Sequence, residues 1–282
     1  MHSGIGCMII SVIVASATLL AVTPSDGHAQ TSEAVDRAAL RVCSDPNNLP
    51  FSNEAGEGFE NKIAELFAAE LGVPVRYTWY PNTIGFIRNT LRLRKCDLVL
   101  AAPTASELLQ NSNPYYRSIY VLVFASDSGI RANSLGDPIM KTLKIGVVAG
   151  TPGASLIAKY GLFDQMRPYQ LLVDTRFESA TSQMADDIAA GELDVGILWG
   201  PIAGYHVKTH NPALIMVPLD PKTEEGVRID FRIHMGLRHN EPEWKLQLNE
   251  LIRTNQDEIN AILMEYGVPL LDNQGNLMNP PN

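Results

Sequence analysis

Long apolar runs are missing from this sequence after residue 22, and the common catalytic signatures are missing throughout. The 282 residues hold no Gly-x-Ser-x-Gly elbow, no His-Glu-x-x-His pair, no Walker loop ending in Gly-Lys and no dinucleotide fingerprint. The motif grounds for enzymatic chemistry are thereby removed, and the chain is expected not to be an enzyme, with no cofactor and no metal. Basic residues are outnumbered, 22 Lys and Arg against 31 Asp and Glu, for a net charge of −9. That balance gives no overall electrostatic footprint for nucleic acid or for an anionic lipid surface. Neither a tandem repeat nor a low-complexity tract is present.

Cysteine is scarce as well, with three in all. The first, Cys7, opens the apolar run that ends at Val22, and the run is followed by Thr23-Pro24-Ser25-Asp26-Gly27-His28-Ala29 and Gln30. Such a small-residue exit suits signal-peptidase cleavage, so residues 1–29 are expected to be a signal peptide and the mature chain to be periplasmic, without a membrane span. The weak positive charge ahead of the run, His2 and the terminal amine, leaves an uncleaved anchor as the alternative. Cleavage leaves Cys43 and Cys96, an even number in an oxidising compartment, and a disulfide between them is expected. Two buried thiols are the alternative.

From residue 40 onward, short apolar runs alternate with amphipathic stretches: 40–43, 59–71, 75–79, 84–93 and 97–100. This is the strand and helix grammar of an open α/β sheet. Phe59, Ile63, Leu66, Phe67 and Leu71 fall on one helical stripe, and Gly72 with Pro74 supplies its stop. The pattern restarts at 143–148, with a helix from Thr151-Pro152, a strand near 171–173, a helix carrying Ala180, Met184 and Ile188, and a strand over 193–198. Residues 120–124 read as a strand crossing between the units, and 229–236 as a strand returning. A long helix is expected from Asn240-Glu241-Pro242-Glu243, by capping-box spacing, to Gly267. The expected organisation is a first lobe of residues 38–122 plus 228–282, a second of 140–218, and a hinge near 120–126 and 226–232.

The order of these marks resembles the type II periplasmic solute-binding proteins of ABC importers: Gly58-Phe59-Glu60-Asn61, Cys96-Asp97-Leu98-Val99, Asn113-Pro114-Tyr115-Tyr116 and Val147-Val148-Ala149-Gly150-Thr151-Pro152. The resemblance implies two Rossmann-like lobes around one cleft. Amino-acid receptors of that family use an Arg and an Asp to grip a zwitterion, and Ala105 and Trp199 stand near those places here. A buried zwitterion without opposite charges is costly. The run Asp45-Pro46-Asn47-Asn48-Leu49-Pro50-Phe51-Ser52-Asn53, with Arg88-Asn89-Thr90-Leu91 and Trp199-Gly200-Pro201, is similar to the narrower MxaJ/XoxJ group. Those proteins are associated with quinone-dependent methanol dehydrogenases. That resemblance implies an accessory role, with the dehydrogenase and its cytochrome c as partners, in assembly or activation. The alternative is an importer receptor for a small ligand other than an amino acid.

Ligands of open α/β sheets lie beyond the carboxyl ends of strands, which nominates Asn47, Asn48, Phe51, Thr104, Thr151 and Trp199 as cleft residues. Asn47 and Asn48 also suit a plain turn, Thr151 a plain helix cap, and Trp199 plain packing between lobes. Tyr115 is nominated with them, although it and Tyr116 must face opposite ways along a strand, one of them into the core. The basic run Arg88, Arg92, Arg94 and Lys95 reads as a solvated helix face or a dock for an acidic partner. His206 and His210 have i, i+4 spacing but lack the following Glu of a metal motif, and 272–276 reads as a turn.

Overall fold

The structure, a computed structural model, describes residues 1–2, 38–102, 107–210, 213–220 and 226–278. The signal segment and its cleavage point lie outside them, as does Thr104.

Strand β1 (Leu40–Ser44) leads into two short strands, β2 (Asn47–Asn48) and β3 (Ser52–Asn53), which pair with each other as a tight hairpin. Helix α1 (Phe59–Leu71) follows, burying Phe59, Ile63, Ala64 and Phe67 as the periodicity predicts. It stops at Gly72, whose φ of 66° is the left-handed conformation that glycine adopts without strain. The hairpin sits on the start of this helix. The N–H groups of Phe59 and Glu60 donate to the carbonyls of Pro50 and Phe51 at 2.9 Å each. A Cβ on Gly58 would lie 2.1 Å from the Phe51 carbonyl oxygen, so this close approach requires glycine.

Strand β4 (Val75–Trp79) pairs parallel with β1, Leu40 opposite Val75. The helix expected over 84–93 is reduced to α2 (Phe86–Asn89) and a 3-10 turn at Leu91–Leu93. Thr90 breaks it, with its hydroxyl turned back to the Phe86 carbonyl, and Arg94 ends the turn at φ 56°. Strand β5 (Val99–Ala102) follows.

The crossing strand is longer than expected. β6 (Gln110–Ala125) runs for 16 residues, taking in Pro114, and a register shift in its partner opposite that proline accommodates the missing N–H. Beyond it lie β7 (Ile145–Val148), α3 (Pro152–Tyr160), β8 (Met166–Tyr169), α4 (Ala180–Ala189), β9 (Val195–Trp199), α5 (Gly200–Thr209) and β10 (Leu214–Pro218). The strand expected at 171–173 thus ends at Tyr169. Strand β11 (Asp230–Leu237) returns antiparallel to the first half of β6, Asp230 opposite Ile119. The last expected helix is divided into α6 (Pro242–Thr254) and α7 (Gln256–Glu265). Asn255 parts them: its side-chain amide donates to the Leu251 carbonyl, and its φ of −111° leaves the helix. The expected capping box at 240–243 does not form, because Glu241 turns to Arg238 instead.

One sheet runs β5-β11-β6-β9-β7-β8, with β10 also paired to β6. Its two halves carry separate cores. Phe59, Phe67, Leu98, Met235, Trp244 and Leu263 belong to one; Val123, Leu156, Met184, Ile197 and Leu214 belong to the other. The halves meet at Tyr120, whose N–H donates to the Ile229 carbonyl (2.9 Å) and whose carbonyl accepts from Leu219 (3.1 Å). They also touch at two glycines. A Cβ on Gly204 of α5 would stand 2.0 Å from the carbonyl oxygen of Gly267, just past α7. Beside that contact, Lys208 donates to the carbonyls of Met264 and Glu265 at the end of α7.

Cys43 and Cys96 are joined in a disulfide across a sequence separation of 53, in a small core with Phe86, Leu91 and Leu109. Replacing both cysteines by serine is expected to reduce the unfolding free energy by about 2–5 kcal/mol, seen as a lower urea midpoint. A midpoint equal to that of the parent chain would show that the bridge adds nothing to stability.

Candidate functional site: a cleft between the two cores

A cavity of about 620 Å³ opens between the two halves of the sheet, within the usual range for a ligand pocket. The structure brings five of the nominated residues to its wall: Asn47, Asn48, Phe51, Thr151 and Trp199. Each arrives as its local chemistry dictates. The hairpin between β1 and α1 carries Asn47 and Asn48 on its first strand and Phe51 in its turn, and all three face the cleft. Thr151 precedes α3, but its hydroxyl donates to the Val148 carbonyl (2.7 Å) and caps no N–H of the helix. Trp199 ends β9 against Tyr120 and Phe231, with ring centroids 5.4 and 5.8 Å away.

Tyr115 is not brought to the cleft. It is 1 % exposed in the first core, its hydroxyl without a partner, and burial pushes its pKa well above the ordinary value. Its neighbour Tyr116 faces the side of Trp199. Burial and then Glu60 drive the Tyr116 hydroxyl well up, and a hydrogen bond with Trp199 draws it partly back. Both rings thus belong to the first core, and neither lines the cavity.

The floor of the cleft is organised by Asp45, 3 % exposed. Its carboxylate accepts from the N–H of Asn47 (2.9 Å) and of Asn82 (2.6 Å). From the other half of the molecule, the Thr175 hydroxyl lies 2.8 Å from both carboxylate oxygens. The Asn47 side-chain amide completes the clasp by donating to the Thr175 carbonyl at 2.8 Å. Residues 170–179, between β8 and α4, therefore form a strap that reaches across the cleft mouth. Leu171 and Leu172 of the strap line the cavity while remaining 53 % exposed. Sequence reasoning missed this element because Leu171-Leu172-Val173 has the composition of a short buried strand, which periodicity alone does not distinguish from an apolar loop. Asn82, Thr175 and Ser179 were missed with it; only Ser179, whose hydroxyl accepts from the N–H of Ser182 at the start of α4, carried a capping signal.

Below the hairpin, Glu60 in the first turn of α1 is 7 % exposed. Burial, and then the nearby charge of Asp45, raises its carboxyl pKa from 4.5 to about 8. The remaining wall is hydroxyl, amide and ring. Among the described residues lining the cleft, no side chain is cationic and the one carboxylate is the exposed Glu178. His206 and His210 lie elsewhere on α5; His206 is buried, its two ring nitrogens lack partners, and burial lowers its pKa to about 4. No cluster of three or more His, Cys, Asp or Glu suited to a metal occurs among the described residues.

Two outcomes follow from this geometry. Glu60 holds a proton in the folded chain between pH 4.5 and about 8 that the unfolded chain releases. Stability from this group is complete below pH 4.5 and is lost as pH rises through 8, by up to about 5 kcal/mol. Glu60→Gln should flatten that decline, so that thermal melts of the two chains diverge between pH 5 and 9 in favour of the variant; parallel curves would refute the raised pKa. Thr175→Val keeps the shape of the strap and deletes the hydroxyl. Loss of a hydrogen bond to a charged acceptor is worth about 1.5–3 kcal/mol, so amide exchange over 170–179 should quicken about tenfold or more, and Thr175→Ser should restore it. Unchanged exchange in Thr175→Val would show that the clasp does not hold the strap.

Comparison with known proteins places this architecture. The chain is 28% identical over 285 residues to Protein MoxJ of Methylorubrum extorquens, covering 93% of this chain and 94% of that protein. It is 39% identical to the crystal structure of the periplasmic binding protein XoxJ from Methylobacterium extorquens AM1, with a TM-score of 0.69 over 83% of this chain and 99% of that one. The crystal structure of MxaJ from Methlophaga aminisulfidivorans MPT, 23% identical, has the same fold at a TM-score of 0.69 over 82% of this chain and 100% of that one. The fold is that of the type II periplasmic binding proteins. Residues 40–268 match the bacterial extracellular solute-binding proteins, family 3, and the chain belongs to that family.

Proposed function

We propose that this chain is a periplasmic accessory protein of a quinone-dependent methanol dehydrogenase, and that its cleft holds a segment of that enzyme during assembly or activation. The observation that carries the proposal is the wall of the cleft. A receptor for a free amino acid needs buried opposite charges, since an unpaired buried carboxylate or ammonium is costly. Here the described wall offers no cation, and Trp199 stands where the resembling receptors place an acid. Amides, hydroxyls and aromatic faces suit the uncharged backbone and side chains of a polypeptide segment, and 620 Å³ has room for a few residues of one. Likeness to XoxJ supports the cellular setting, because the group that the sequence resembles accompanies such dehydrogenases. The crossings at Tyr120 and Ile229 would serve as the hinge on which the lobes open to admit the segment.

Deletion of the gene from a methanol-oxidising host is expected to lower the yield of active dehydrogenase, and tagged chain is expected to retain the enzyme from periplasmic extract. Normal dehydrogenase assembly and activity in the deletion strain would overturn the proposal. A small solute that raises the melting temperature in a broad screen would favour an importer receptor instead, since a ligand at 100 times its Kd stabilises by about 2.7 kcal/mol.

A further inference from the structure

The stretch from Leu71 to Cys96 contains Arg76, Arg88, Arg92, Arg94 and Lys95 and not one Asp or Glu, in a chain of net charge −9. All five are exposed. The acid that follows it is already engaged: Asp97, 1 % exposed, accepts from both Arg41 and Arg238, and Arg238 also pairs with Glu241. No salt bridge involves Arg76, Arg88, Arg92 or Lys95 among the described residues. Two large apolar side chains stand among these charges, Ile84 at 79 % and Leu93 at 60 % exposure.

The frame beneath them is fixed. The disulfide Cys43–Cys96 closes the stretch onto β1, Phe86 and Leu91 anchor it in the small third core, and Asn89 donates to the Tyr80 hydroxyl. The Thr78 hydroxyl donates to the Lys95 carbonyl and Arg41 to the Arg94 carbonyl, which ties the end of the stretch to the β1 and β4 pair. A solvated helix face would need a helix, and α2 spans only four residues. The same brevity leaves no amphipathic face to lie in a bilayer. The stretch reaches the cleft just before Ile84, since Asn82 lines the cavity and its N–H donates to Asp45.

We infer that residues 84–95 form a docking surface for an acidic face of a protein partner, set at the edge of the cleft so that a docked partner presents its segment to the opening. Cations fixed on a rigid frame around exposed apolar groups give both electrostatic steering and a desolvated contact. The inference rests on the proposed accessory role, and the partner surface is that of the dehydrogenase.

The test is binding of purified methanol dehydrogenase to the full chain, to Arg92→Glu/Lys95→Glu, and to Lys141→Glu/Lys159→Glu, at 20 and 150 mM salt. All four substituted side chains are exposed, and equal melting temperatures establish that both variants fold. The first variant should bind at least about tenfold more weakly at 20 mM salt, the second within about twofold of the parent, and the parent more weakly at 150 mM than at 20 mM. Equal binding by the parent and Arg92→Glu/Lys95→Glu overturns the docking surface alone. Equal weakening in both variants overturns it also, by reducing the effect to net charge. Failure of the parent chain to bind overturns the accessory reading itself, and with it this surface. Binding to phosphatidylglycerol vesicles that is lost in Arg92→Glu/Lys95→Glu, with the enzyme bound unchanged, assigns the surface to lipid and overturns the inference.

Discussion

The cleft depends on a buried carboxylate that has no salt bridge among the described residues. Asp45 cannot be left bare at 3 % exposure, because an ionised group in such surroundings must be surrounded by donors. The donors it collects come from three separate pieces of chain: its own hairpin through Asn47, the segment after β4 through Asn82, and the far half of the molecule through Thr175. One group thereby sets the shape of the hairpin, the edge of the cleft and the position of the strap. The hairpin is fixed a second time from below, where its carbonyls receive the first N–H groups of α1. A helix start, which otherwise leaves donors unsatisfied, here serves as the seat of the hairpin.

The floor and the remote end of the second core respond to acidity in opposite senses. Glu60 is held as a neutral acid beneath the hairpin, and His206 as a neutral base inside α5, each displaced by burial first. Raising pH works against the first and lowering pH works against the second, so the two confine the most stable range to intermediate pH. Neither group faces the solvent of the cleft, which leaves the wall itself to amides, hydroxyls and rings.

Much of this was legible in the sequence, and the exceptions share a physical cause. α1 could be read from its stripe and from Gly72 because one face is buried and the stop is a backbone requirement. β11 could be read from strict alternation, and Thr151 and Trp199 could be located because strand ends in an open sheet face the ligand. The strap was misread because its leucines face a cavity, and an apolar residue serving a cavity leaves the same letters as one serving a core. Asn255 divided a helix through a side-chain bond that competes with the backbone ladder, and Thr90 ended another in the same way. Tyr115 was placed at the cleft because alternation suggests one inward ring, whereas elements distant in sequence bury both tyrosines in the first core. The clasp between Asp45 and Thr175 spans 130 residues, and no local pattern announces it.

The bare contact of Gly204 with Gly267 fixes how closely the two halves can approach. Two backbones without side chains lie against each other where the second core meets the end of α7. So close an approach leaves no room for a spacer. Any side chain introduced there would act as a wedge between the two cores. The fit of the halves around the cleft thus rests in part on a pair of missing methyl groups, at positions that do not line the cavity.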